Sequence, residues 1–153
     1  MNTVETTYVS PHSSNALLPA VPVRIQRSRQ HKQVSPNGLP IVYVGRPSKW
    51  GNPFELEKVN GGWLVLHIQG ERVDECGFFK TKLEAQKHAV ERLRDYVSFL
   101  MPAKLYGITD EDYKQQEEIF NEFISELKGK NLSCWCKVGE PCHADVLLEL
   151  ANR

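Results

Sequence analysis

The sequence lacks a long apolar run. No window approaches the roughly 18 residues a membrane helix needs, so no transmembrane span is expected. It also lacks a charge of one sign: 19 Lys and Arg balance 19 Asp and Glu, for a formal net charge of zero. That balance excludes wholesale electrostatic wrapping of DNA or RNA, although it leaves room for a local basic patch. The segment Met1 to Thr7 has neither the basic start nor the apolar run of a secretory signal, and a cytoplasmic location is expected. Cysteine is scarce, at 4 in 153 residues. In a reducing compartment these are expected as thiols or metal ligands rather than as disulfides. Internal repeats are missing, and the length is that of one domain able to bury a core. What is present is ordinary for a globular chain, with 41% hydrophobic and 25% charged residues.

Residues 1–20 are polar and without sustained period, and read as a flexible leader before a single domain over 21–153. Val21 to Arg27 alternates apolar and polar side chains, the pattern of a half-buried strand. Pro36-Asn37-Gly38 signals a turn, and Leu39 to Val44 reads as a buried strand. Trp63 to Ile68 and Arg72 to Phe79 form a hairpin pattern around Gln69-Gly70. Thr81-Lys82-Leu83-Glu84 matches a capping box, followed at helical spacing by Ala85, Ala89, Leu93, Tyr96, Val97 and Leu100, with Pro102 as the stop. Thr109 caps a second helix carrying Tyr113, Phe120, Phe123, Ile124 and Leu127, closed by Lys128-Gly129-Lys130. Leu132 to Cys136 then reads as a short buried strand, and Pro141 onward as a helix start. Buried strands alternating with capped helices predict an α/β chain, a single compact domain with a three-layer Rossmann-like sheet and flanking helices.

The densest chemistry is Cys134-Trp135-Cys136-Lys137-Val138-Gly139-Glu140-Pro141-Cys142-His143-Ala144-Asp145. It admits three readings. Cys134, Cys136, Cys142 and His143 are residue types that hold zinc. The spacing disfavours that set, because adjacent Cys142 and His143 diverge at a helix start. Alternatively, the helix N-terminus stabilises a Cys142 thiolate or a bound anion, making Cys142, His143 and Asp145 candidate catalytic groups. The third reading treats the cysteines as small buried hydrophobes.

A second site is Gly45-Arg46-Pro47-Ser48-Lys49-Trp50-Gly51-Asn52-Pro53-Phe54. Arg46 and Lys49 offer positive charge, Ser48 and Asn52 hydrogen bonds, and Trp50 a flat surface. This inventory suits a phosphate-bearing, ring-containing ligand. A rigid corner with Trp50 in the core is the competing reading. Cys76, His67 and His88 are expected to be structural, and Asp110-Glu111-Asp112 is explained by helix capping.

Taken together, Val42 to Phe54, Leu127 to Cys136 and Pro141 to Ala151 resemble the family catalogued as domain of unknown function 4326, found in bacteria and their phages. The strand-Cys-turn-Cys-His-helix element is also similar to that of domain of unknown function 488. The first resemblance covers about Val21 to Asn152. It implies a compact α/β domain with the two motifs side by side and favours a pocket over a buried core, without naming a reaction.

The expectation is therefore one cleft formed by Gly45–Phe54 and Cys134–Asp145, in which Cys134 and Cys136 join the ligand-binding set. Its ligand would be a nucleotide, a nucleoside or a nucleic-acid fragment, bound or processed. The competing classes are a non-catalytic phage-type effector or binding module engaging a host protein, and a zinc-stabilised structural domain. No membrane partner is expected.

Overall fold

In a computed structural model, residues 19–98 and 109–153 are described. The leader expected over 1–20 lies almost wholly outside the described residues, as do Leu100, Pro102 and the side chain of Tyr113.

The chain runs β1 (Arg24–Gln26), β2 (Ile41–Tyr43), β3 (Phe54–Val59), β4 (Gly62–Gln69), β5 (Arg72–Phe79), α1 (Lys82–Ser98), α2 (Asp110–Ser125), β6 (Asn131–Cys134) and α3 (His143–Ala151). The strands expected near Val21–Arg27, Leu39–Val44 and Leu132–Cys136 pair as one parallel sheet in the order β1-β6-β2. All four residues of the central strand β6 are buried, as a strand flanked on both edges and covered by helix requires. The α/β class is the one expected. A second sheet stands beside the first, the antiparallel meander β3-β4-β5. Its last two strands are the expected hairpin. Its first, β3, extends the sequence reading past Phe54, where Phe54, Leu56 and Val59 punctuate a charged run. Gly77, at φ +154, sits where the β4–β5 register shifts beside Val65 and Leu66. A side chain there would meet the Phe79 ring.

Helix α1 starts on the expected capping box: Thr81 Oγ1 accepts from the Glu84 amide at 3.2 Å, and Glu84 Oε2 accepts from the Thr81 amide at 3.2 Å. Ala85, Ala89, Leu93 and Val97 then fall on one buried face, which packs with Phe54 and Val65 of the meander. Helix α2 is capped by Thr109, which accepts from the Asp112 amide. Its buried Ile124 joins Leu127, Leu132 and Val44 in a second cluster. Helix α3 belongs to both clusters: Ala144, Leu147 and Ala151 face the parallel sheet, and Val146 faces the meander.

Asn131 anchors the parallel sheet from within. Fully buried, it exchanges amide hydrogen bonds with Asn37 at 2.8 and 3.1 Å. It also donates to Ser35 Oγ at 3.2 Å and accepts from the Val23 amide at 3.0 Å. One side chain thus ties the β1 approach and the β1–β2 connection to the central strand. Asn131→Ala strands several buried partners, and denaturant titration should show a loss of about 1–3 kcal/mol per orphaned group.

Candidate functional site

The carboxyl ends of β2 and β6 open into a cleft of about 400 Å³. This is where a parallel sheet gathers loops and free backbone groups. Gly45, Arg46 and Asn52 form one wall, with Tyr43 at the end of β2. Cys134, Trp135, Cys136, Pro141, Cys142 and His143 line the same cleft. Leu56 from β3 and Gln86, Ala89 and Val90 from α1 complete it. Both sequence motifs therefore meet on one cavity.

The sulfur groups converge because the chain reverses. Beyond β6 the turn at Lys137–Glu140, closed by a Glu140 amide to Lys137 carbonyl bond at 3.1 Å, folds Pro141 and Cys142 back over the strand end. The sulfurs of Cys134, Cys136 and Cys142 lie within 4.8 Å of one another. Cys134 and Cys142 are 3.0 Å apart, as free thiols. Three thiolates at this spacing could hold a metal ion. His143 stands apart from that set: its Nδ1 is 3.7 Å from the Cys142 sulfur, and its Nε2 is 2.8 Å from the Val44 carbonyl. A carbonyl only accepts, so Nε2 carries the proton and Nδ1 is the atom turned toward the sulfurs.

The electrostatics favour negative sulfur. Hydrogen bonds from Cys134 and Cys136 hold the Cys142 thiol well below the ordinary thiol range, against the opposing effect of burial and with help from His143. Cys134, the partner that keeps its proton, is pushed up by hydrogen bonds to Cys136 and Cys142 and by burial. Burial lowers the pKa of His143, but hydrogen bonds to Cys136, Cys142 and Val44 outweigh it and carry the imidazole up to about 9.

Arg24 is the functional residue that sequence reasoning missed. Its side chain is 10% exposed, its Nε is 3.4 Å from Asp145 Oδ1, and its NH2 donates to the Lys137 carbonyl at 3.3 Å. The buried NH1 has no hydrogen-bond partner. Burial works against this charge, while Cys142 and Asp145 sustain it and raise the arginine's pKa. Alternation within Val21–Arg27 placed Arg24 on the polar face, and that face turns toward the sulfurs.

The remaining candidates divide. Arg46 lines the cleft with half its side chain exposed, and pairs with Glu55 at 2.6 Å. Asn52 lines it too, but its amide is occupied: Oδ1 accepts from the Phe54 amide at 2.9 Å, and Nδ2 donates to the Ala89 carbonyl at 3.3 Å. Ser48 and Lys49 are not among the lining residues. Ser48 Oγ is buried without a partner, and Lys49 pairs with Glu126 at 2.8 Å. Trp50 is not a cleft surface. Its indole packs on the core beside Phe123, centroids 5.8 Å apart, under the Lys49 ammonium. Its apolar area is better buried against Phe123 than left to a ligand. Asp145 does not orient His143; the Val44 carbonyl does, and Asp145 is an exposed partner of Arg24. His67 stacks on Phe54, with its pKa lowered chiefly by burial, and His88 bonds the Cys76 carbonyl.

A core role for Trp50 predicts that Trp50→Ala lowers unfolding stability by about 2–4 kcal/mol in the absence of any ligand. A change below about 0.5 kcal/mol would return the indole to the candidate ligand surfaces.

Comparison with known proteins adds one match. No curated protein and no solved structure matches the chain. The family model described as Domain of unknown function (DUF4326) matches residues 23–153, a span that holds the sheets and helices of the described residues and every residue lining the cleft. On that coverage, the chain belongs to the DUF4326 family.

Proposed function

We propose that the cleft takes a nucleotide, nucleoside or nucleic-acid-derived ligand and presents it to a sulfur centre that holds a divalent metal of the zinc class. The observation that carries this reading is the grouping of Cys134, Cys136 and Cys142 within 4.8 Å in the lining of the same cleft as Arg46 and Tyr43. Three thiolates suit a soft or borderline cation and leave a fourth position of a tetrahedral ion to a group in the cleft. A divalent ion with three thiolates carries net negative charge, which the buried guanidinium of Arg24 balances. The Val44 carbonyl fixes the His143 ring through Nε2, and Nδ1, protonated where the pKa is up at about 9, faces the Cys142 sulfur and adds positive charge beside the set. Such a metal would polarise an oxygen or activate a water.

The ligand class follows from Arg46 and Tyr43. An exposed ion pair such as Arg46–Glu55 is worth at most about 1 kcal/mol, so the Arg46 guanidinium exchanges partners readily for a phosphate. The Tyr43 ring supplies a flat face beside it.

A second reading needs no metal. The 3.7 Å approach of His143 Nδ1 to the Cys142 sulfur then makes a thiolate–imidazole pair, with Cys142 as nucleophile and His143 as acid-base group.

Elemental analysis of protein purified without added metal distinguishes the two. The metal reading expects stoichiometric zinc, lost in Cys136→Ser, a change at a half-buried position that the fold should tolerate. Metal-free protein with a melting curve indifferent to chelator would remove it and leave the thiolate reading.

For the ligand, nucleotides should raise the melting temperature, and Arg46→Ala should weaken that binding about ten- to a hundred-fold while the apo protein stays folded. A nucleotide screen with no Arg46-dependent shift would remove the nucleotide reading.

A further inference from the structure

We propose that the mouth of the cleft is a shelf for single-stranded nucleic acid, with bases stacking on Trp135 and phosphates meeting Arg27 and Arg29. This deepens the cleft reading and rests on it for the nucleotide class of the ligand; the shelf itself uses neither the sulfurs nor Arg46.

Trp135 follows β6 between two cysteines of the sulfur centre. The strand ends at Cys134, and Trp135 and Cys136 form the bend that follows it. The indole is 47% exposed, yet it still lines the cleft with Tyr43. A large aromatic left in water beside a cavity is a surface kept for contact. Arginines frame it. The Arg27 guanidinium lies 4.5 Å from the Tyr43 ring centroid and 5.4 Å from that of Trp135, and the Arg29 guanidinium 5.7 Å from Trp135. Neither arginine enters an ion pair among the described residues. The carboxylates at this end are engaged: Asp145 by Arg24, Glu55 by Arg46, and Glu140 by the Gln86 amide.

Two uncompensated guanidiniums interleaved with two rings, on a chain of zero net charge, make a local attraction for an anionic polymer that also has flat faces. An acidic peptide would meet the charges but leave the indole without a stacking partner.

The test is fluorescence anisotropy with an end-labelled single-stranded oligothymidylate of about a dozen nucleotides, titrated at several salt concentrations. Binding should fall steeply with salt. Trp135→Ala should weaken it about five- to a hundred-fold with an unchanged melting temperature. Arg29→Glu, at an exposed position outside the cleft lining, should weaken it and reduce the salt slope by about one unit. Its metal content and its mononucleotide-induced shift should stay those of the wild type. The shelf is overturned if the strand does not bind at low salt, if either variant binds it like the wild type, or if heparin binds with the same dependence on Trp135. Should the strand bind through Trp135 while no Arg46-dependent mononucleotide shift exists, the cleft reading falls and the shelf stands.

Discussion

A buried positive charge organises this end of the molecule. Placing a guanidinium where only a tenth of its side chain meets water costs several kcal/mol unless negative charge lies close by. Asp145 supplies part of that charge at 3.4 Å from Nε, but it is itself exposed and screened. The larger demand falls on Cys142, buried beside the arginine and at the N-terminus of α3. Arg24, the helix start and the imidazole of His143 all favour a sulfur anion there. Thiols gathered only as small apolar fillers would leave the arginine under-compensated.

That requirement explains features of the fold that otherwise look unrelated. Strand β1 lies parallel to β6 with Gln26 opposite Cys134, which carries Arg24 along the strand whose end bears the sulfurs. Strand β6 is held between two partners and pinned by Asn131, so Cys134 has little freedom. Helix α3 is fixed in both core clusters, so Cys142 and His143 are presented from a rigid element. The Gly45–Phe54 loop is rigid for a different reason. Trp50 packs against Phe123 of α2, Lys49 pairs with its C-cap Glu126, and Asn52 bonds to α1. Gly45 lies close against the Tyr43 ring, where any side chain would collide. The loop lines the cleft through Gly45, Arg46, Asn52 and Phe54.

Much of this was legible where the signal is local. The two helix caps, the Trp63–Phe79 hairpin and the parallel strands follow from short periods and fixed offsets, and the structure has them. Strand β3 was also legible, since Phe54-Glu55-Leu56 alternates before the charged pair Glu57-Lys58. Other features depend on tertiary placement. Trp50 carries no mark that distinguishes an indole for a ligand from one for Phe123. Arg24 is a polar residue on a half-buried strand, and only the pairing with β6 shows what its face meets. The divergence of neighbours at a helix start keeps His143 out of the three-cysteine group: its Nε2 turns to Val44, while Nδ1 stays 3.7 Å from the Cys142 sulfur. It says nothing against Cys142 joining Cys134 and Cys136, because that meeting is made by the reversal through Gly139, at φ +90.

The central claim is that the sulfurs form a charged centre built to hold a metal, balanced by Arg24. X-ray absorption at the zinc edge on protein as purified addresses it most directly. The account predicts a first shell dominated by three sulfurs at about 2.3 Å with one lighter neighbour. A shell of nitrogen and oxygen alone at about 2.0–2.2 Å, or a folded protein with no bound metal, would contradict it.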